Sequence, residues 1–248
     1  MTNHLTYAAL SDTGKVRSAN EDNWAADAPE GLFIVADGLG GHAAGALASQ
    51  IVVTTLPGLV RQEIESAGQN QQRSLHRALV AAITRLSIQM RDQTASDPEL
   101  AGMGSTVVCA LIQDGRLYLA HLGDSRAYLL RRNCLMSLSH DDSLVGMLQR
   151  CRQINAAEAA RHPARNRLTQ NVGMAGEPQP HGRSLTLQAG DRLLLCTDGL
   201  TGMLTDKQIE AALLKPGPLA SQCQRLIDQA NAAGGQDNIT ALLVDHPG

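Results

Sequence analysis

Aromatic side chains are nearly missing from this chain, whose 248 residues include one Phe, one Trp and three Tyr. With 43% hydrophobic residues, its core must therefore come from Leu, Val, Ile and Ala, and platforms for stacking nucleic-acid bases are scarce. Positive charge is short as well. A formal net charge of −3 and a pI of ≈ 6.2 leave no excess of Lys and Arg for binding phosphate backbones or anionic membranes, so any phosphate chemistry needs metal ions to supply the positive field. No CxxC spacing occurs among the five cysteines, Cys109, Cys134, Cys151, Cys196 and Cys223. Their odd number and their place in runs such as VVCALI and LLLCT predict buried thiols in a reducing compartment. No apolar run approaches a membrane span, and MTNHLTYAAL is not a charged leader followed by a long hydrophobic region. The expectation is a cytoplasmic protein, a monomer without nucleic-acid or membrane partners. There is no internal repeat, low-complexity tract or linker. The length fits one domain over residues 1–248, burying about three quarters of its unfolded surface.

What is present alternates between strand and helix signals. LTYAAL (5–10), LFIVA (32–36), TVVCALIQ (106–113), RLYLAHL (116–122), AYLLRR (127–132), RLLLCT (192–197) and ITALLV (239–244) have the length and composition of strands. Asp114-Gly115 reads as a hairpin turn between two of them. Apolar or small residues recur at helical spacing over about 43–56 and about 71–92. A third helix is expected near 218–232, with Pro218 in its first turn. Strands, a helix pair, more strands, then a helix and a last strand describe helices packed on mostly antiparallel sheets, an α+β class and not a βαβ alternation. The polar stretch 140–177 breaks this order, with short helical pieces and a Gly/Pro-containing end, and a segment of that kind is often functional.

Five acidic stretches carry the chemistry: VRSANED (16–22), VADGLGGH (35–42), LGDSR (122–126), CTDGL (196–200) and GGQDN (234–238). Each stands at the end of an apolar or small-residue run, where loops can converge carboxylates on one point. Glycines after Asp37 let the backbone approach an ion, so that the Gly38 carbonyl can serve as a ligand beside the carboxylate. Asp198-Gly199 repeats this device, Asp237 supplies a third carboxylate, and Glu21-Asp22 an acidic pair. Singly, an Asp-Gly is what a turn requires. Oxygen-only ligands favour hard cations, Mg2+ or Mn2+, over Zn2+.

In its order along the chain, the series GKVRSANED, ADGLGGHAAG with Ala48-Ser49, GMGST, LGDSR, CTDGL and GGQDNIT resembles the metal-dependent PPM (PP2C-type) protein serine/threonine phosphatases, the compact bacterial members in particular, from about Tyr7 to Val244. The resemblance implies an αββα sandwich, two packed antiparallel sheets flanked by helices. It implies two Mn2+ or Mg2+ ions, bridged by Asp37, with the Gly38 carbonyl on one and Asp198 and Asp237 on the other. Glu21 and Asp22 would act directly or through bound water, and Arg17 would grip the substrate phosphate. The reaction implied is hydrolysis of phosphoserine and phosphothreonine in proteins by a water between the ions, opposing a eukaryotic-like Ser/Thr kinase. The stretch 140–177 would be a flap, held in shape at His162-Pro163.

Some positions depart from that pattern. Leu39 stands where many eukaryotic relatives carry a His, which leaves the general acid unassigned. A third ion would use Asp124 and Asp198, but the acidic residue expected four positions beyond Asp198 is Gly202, so that ion should be weak or absent. His42 can be a proton donor or a structural residue at a helix start, His121 reads as a satisfied core or strand-end residue, and Arg131-Arg132 as a solvated strand end. Cys196 lacks the Cys-x5-Arg loop of a thiol nucleophile. Two other classes remain: a catalytically weak phosphoprotein-binding regulator of the same fold, against which the intact Arg17, Asp37, Asp198 and Asp237 argue, and a metal-dependent nuclease or phosphodiesterase, against which the low basic and aromatic content argues.

Overall fold

The computed structural model describes residues 5–66, 75–95, 97, 100 and 102–247. Strands β1 (Thr6–Asp12), β11 (Ile239–Asp245), β10 (Arg192–Cys196), β7 (Arg126–Arg131) and β8 (Cys134–Ser137) form one sheet in that order. A second follows the order β2 (Asp22–Asp27), β3 (Leu32–Leu39), β5 (Val107–Gln113), β6 (Arg116–Leu122) and β9 (His181–Thr186), with the two-residue β4 (Gly104–Ser105) paired to β3. Every pairing is antiparallel. Asp114 and Gly115 both have positive φ, 51° and 69°, and join β5 to β6 as the tight turn expected of that dipeptide.

Alternate residues of the central strands face opposite layers, which explains why these strands read as unbroken apolar runs. Phe33 and Val35 of β3 meet Leu193 and Leu195 of β10 and Leu242 of β11 between the sheets. Their neighbours Ile34 and Ala36 instead pack under helices α1 (His42–Ser66) and α2 (Leu75–Thr94). On the far side, Leu194 and Cys196 pack under α5 (Asp198–Thr201), α6 (Asp206–Leu214) and α7 (Leu219–Ala232). Helices, sheet, sheet, helices is the αββα order expected.

Helix α1 outruns its expected end at residue 56, continuing through Pro57 to Ser66 because Leu59 and Val60 prolong the buried stripe. It is thereby long and apolar enough in composition to cross a membrane, unlike any run anticipated from the sequence, yet Ala48, Val52 and Leu56 are fully buried in the helix–sheet core. The start of the helix expected at residue 71 lies outside the described residues, and α2 is described from Leu75. Pro218 caps α7 from just outside it. In the stretch 140–177 the two short helical pieces are α3 (Leu144–Arg150) and α4 (Ala156–Arg161), capped by Ser143 and Asn155, and the His162 Nδ1 accepts from the Ala164 amide.

Candidate metal centre

Strand register brings the acidic loops to one end of the sandwich. Asp22, opening β2, is the cross-strand partner of Asp37 near the end of β3. β10 ends beside the start of β11, with Cys196 opposite Ala241, so Asp198 just after β10 and Asp237 just before β11 share that end. Asp124 follows β6, whose end is paired with the beginning of β5. Asp37 and Asp198 lie within hydrogen-bonding reach of each other.

Burial and mutual repulsion raise these carboxyls together. Burial first, then Asp22, Asp198 and Asp124, push Asp37 well above the usual carboxylate range. Asp124 is raised likewise, by burial and then by Asp198. Asp22 is pushed up to about 7 and Asp198 to about 6, burial leading in both. Such a cluster is stable in its charged form only if cations offset it.

The oxygens left over fit that requirement. Asp22 Oδ2 accepts from the hydroxyls of Thr197 (2.8 Å) and Thr240 (2.7 Å), while its Oδ1 is buried without a partner. Asp198 Oδ1 is buried and unpartnered too. The carboxylate of Glu21 and the carbonyl of Gly38 meet at the first turn of α1: a Cβ placed on Gly45 would lie 1.9 Å from Glu21 Oε2 and 3.1 Å from the Gly38 oxygen. Only glycine leaves that cradle open. The unpartnered oxygens of Asp22 and Asp198, with the Glu21 carboxylate and the Gly38 carbonyl nearby, are a ligand set for hard divalent cations.

Arg17 is at the mouth of this cluster, half exposed, and donates from Nη2 to Asp237 Oδ2 at 2.7 Å. That hydrogen bond, more than its nearness to Glu21 and Asp37, strengthens its positive charge. Asp237 therefore divides its oxygens, since Oδ1 accepts from the Asn238 amide at 2.8 Å.

Several residues that organise the site were not singled out by sequence. Asn238 accepts from the Glu21 amide and donates to the carbonyls of Thr13 and Ala19, tying the first acidic loop to the last. Thr197 and Thr240 orient Asp22. Arg126 grips Asp141 through two bonds of 2.7 Å and bears on Asp124 and Asp198 from behind. Polar residues next to the acidic motifs were the available signal.

Two other expectations, for His121 and Arg131, need correction. His121 is 3% exposed, but its Nδ1 has no hydrogen-bond partner, so it is buried without being satisfied. Arg131 is not a solvated strand end, because it bonds Asp191 at 2.8 Å and the Thr186 carbonyl at 2.9 Å. Of His42 only the backbone lies within the described residues. Burial pushes the Cys196 thiol up to about 12, which leaves it inert. The amide of Gly202 donates to the Asp198 carbonyl at 2.6 Å, and no side chain stands there to hold a third ion.

The model of the protein phosphatase 2C family matches residues 15–244. The serine/threonine protein phosphatase PstP of Mycobacterium tuberculosis is 40% identical over 241 residues, covering 97% of this chain and 45% of PstP, so the chain spans less than half the length of that relative. Protein phosphatase PhpP of Streptococcus pneumoniae is 36% identical over 244 residues, covering 97% of each. The solved catalytic domain of PstP in complex with 2 manganese ions superposes with a TM-score of 0.80 at 38% identity over 97% of each chain. A family match along nearly the whole chain, relatives at these identities and an acidic cluster at the end of an αββα sandwich have one common explanation: the chain belongs to the protein phosphatase 2C family.

Proposed function

We propose that this chain hydrolyses phosphoserine and phosphothreonine in proteins with the help of two divalent cations, Mn2+ or Mg2+. The observation that carries the reading is the buried carboxylate cluster with unpartnered oxygens on Asp22 and Asp198, beside the half-exposed Arg17–Asp237 pair. The two manganese ions in the related PstP catalytic domain support Mn2+ as the ion. Asp37, the Gly38 carbonyl, Asp198 and Asp237 would hold the ions, Glu21 and Asp22 would act directly or through water, and Asp124 would serve any weak third ion. Bound there, the ions would acidify a water and offset charge on the phosphate oxygens. Arg17 binds the phosphate at the mouth, where its guanidinium can exchange the Asp237 carboxylate for phosphate oxygens in a charge-assisted pair. Thr197, Thr240 and Asn238 keep the acidic loops in register.

The names of the related phosphatases support phosphoproteins as substrates. A eukaryotic-like Ser/Thr kinase is the opposing partner we assign, with the chain acting as a monomer in the cytoplasm. The expected burial holds for Cys109, Cys196 and Cys223 and not for Cys134 and Cys151, which are exposed; all five as free thiols support a reducing compartment.

The test is turnover of p-nitrophenyl phosphate, its bis(p-nitrophenyl) diester and a phosphothreonine peptide, with Mn2+ and after chelation. Monoester and peptide should be hydrolysed only with metal, and the diester poorly. Equal rates on the diester would make the chain a phosphodiesterase, and peptide binding without turnover would make it a regulator.

A further inference from the structure

Three imidazoles and a buried carboxylate meet beside the acidic cluster, from parts of the chain far apart in sequence. His121 of β6 and His181 of β9 are direct cross-strand partners, and their ring centroids are 5.1 Å apart. His140, at the start of the stretch 140–177, packs on both rings, at 5.0 and 4.2 Å. Asp142 is almost fully buried and uses Oδ2 to accept from the Gly123 amide at 3.1 Å. Its Oδ1 lies 2.9 Å from His181 Nε2 and 4.0 Å from His140 Nε2. Among the described residues no Lys or Arg pairs with Asp142, and the side chains that meet its Oδ1 are imidazoles, His181 within hydrogen-bond distance. One potential ligand atom from each of His140, Asp142 and His181 lies within 4.8 Å of the other two.

We propose that His140, Asp142 and His181 form a binding site for a borderline transition-metal cation of the Zn2+ class, separate from the all-oxygen centre. Two imidazoles and one carboxylate suit Zn2+, where the oxygen ligands of the other cluster suit Mg2+ or Mn2+. Ligand atoms about 2.0–2.1 Å from a tetrahedral Zn2+ stand roughly 3.3 Å apart, so the present spread closes with a small movement. His140 can make it, because its side chain is 42% exposed. His121, 3% exposed and with an unpartnered Nδ1, packs on both candidate ligand rings but is not itself one of the three clustered ligands. Burial lowers the pKa of His140, which keeps that ring neutral and able to ligate at neutral pH. Arg150 and Arg183 are near enough to oppose a cation, but each points a guanidinium nitrogen at a carbonyl, of Asp141 and of Leu138 respectively. An ion here would pin residues 140–142 to the edge strand β9. Asp142 is also bonded to Gly123, next to Asp124, and its carbonyl accepts from Thr169, so the ion would stiffen the base of the 140–177 stretch.

Equilibrium dialysis of the Asp37→Asn protein against micromolar Zn2+ in excess Mg2+, followed by elemental analysis, counts ions away from the all-oxygen centre. One tightly held Zn2+ per chain is expected. Adding His181→Ala or His140→Gln should weaken it by more than the roughly 10–100-fold that losing a mere partner of a ligand costs. His140→Gln alters a half-exposed side chain and stays informative if His181→Ala does not fold. In the unaltered protein, Zn2+ should shift the imidazole 15N resonances of His140 and His181. Zinc binding unchanged in both variants, or no zinc bound, overturns the site.

Discussion

Arg17 shares Asp237 with any cation that carboxylate holds, and this bears on what its removal should do. Arg17→Ala takes away a phosphate contact and a competitor for Asp237 Oδ2, but no metal ligand. The Mn2+ concentration for half-maximal activity should stay the same or fall, while kcat/KM for phosphomonoesters loses about 1–3 kcal/mol of transition-state stabilisation. Weaker metal binding instead would make the arginine structural. Asp37→Asn is the complementary change. The Asp37 amide donates to the Thr106 hydroxyl at 3.1 Å and its carbonyl accepts from the Thr106 amide and the Ser105 hydroxyl, so the backbone is anchored without the side chain. The variant should fold with an unchanged circular dichroism spectrum and fail to turn over. Near-normal rates with saturating Mn2+ would remove Asp37 from the centre.

At the level of elements, legibility followed burial. Strands buried on both faces, such as β5 and β10, announce themselves as apolar runs. Of the strands absent from the sequence reading, β4 is only two residues long, while β2, β8 and β9 lie at sheet edges, where β8 and β9 expose most of their residues and a strand needs little apolar sequence. Helix α6 went unread although Thr205 and Gln208 form a capping box, a local signal independent of periodicity. The acidic loops were legible because each Asp follows an apolar run, whereas the Arg17–Asp237 pair and the contact of His121 with His181 depend on register, which sequence alone does not state. The same reasoning makes 140–177 testable as a unit. Its helices α3 and α4 are short, and α4 is mostly exposed. Exchanging residues 143–161 for the equivalent stretch of a related phosphatase should alter turnover of phosphopeptides far more than of p-nitrophenyl phosphate, which is too small to touch it. Parallel losses on both, with metal dependence kept, would assign the segment to support of the fold.

For the molecule as a whole, the acidic cluster ties folding to protons and metal. Asp22 and Asp198, ordinarily near 3.8, are raised to about 7 and about 6, so the folded chain without metal binds more protons than the unfolded one as pH falls through these values. Their stabilising contribution is greatest when protonated and is lost as pH rises through the folded pKa. His121 acts in the opposite direction, since its lowered pKa costs stability below the ordinary imidazole value of 6.5. The clean window is therefore about pH 6.5 to 8. Across it Asp22 takes up most of a proton and Asp198 a fraction of one, together worth about 1 kcal/mol. For a chain of this size that corresponds to a rise in Tm of roughly 2–4 °C on acidifying the metal-free protein across the window. With Mn2+ present the slope should reverse, because the cation requires the carboxylates unprotonated and binds more tightly as pH rises. Asp22→Asn removes one of the titrating groups and should flatten the metal-free profile. Thermal melts at several pH values, with Mn2+ and after chelation, measure all three curves. A metal-free Tm that climbs with pH over this window would mean that the cluster does not store the repulsion assigned to it.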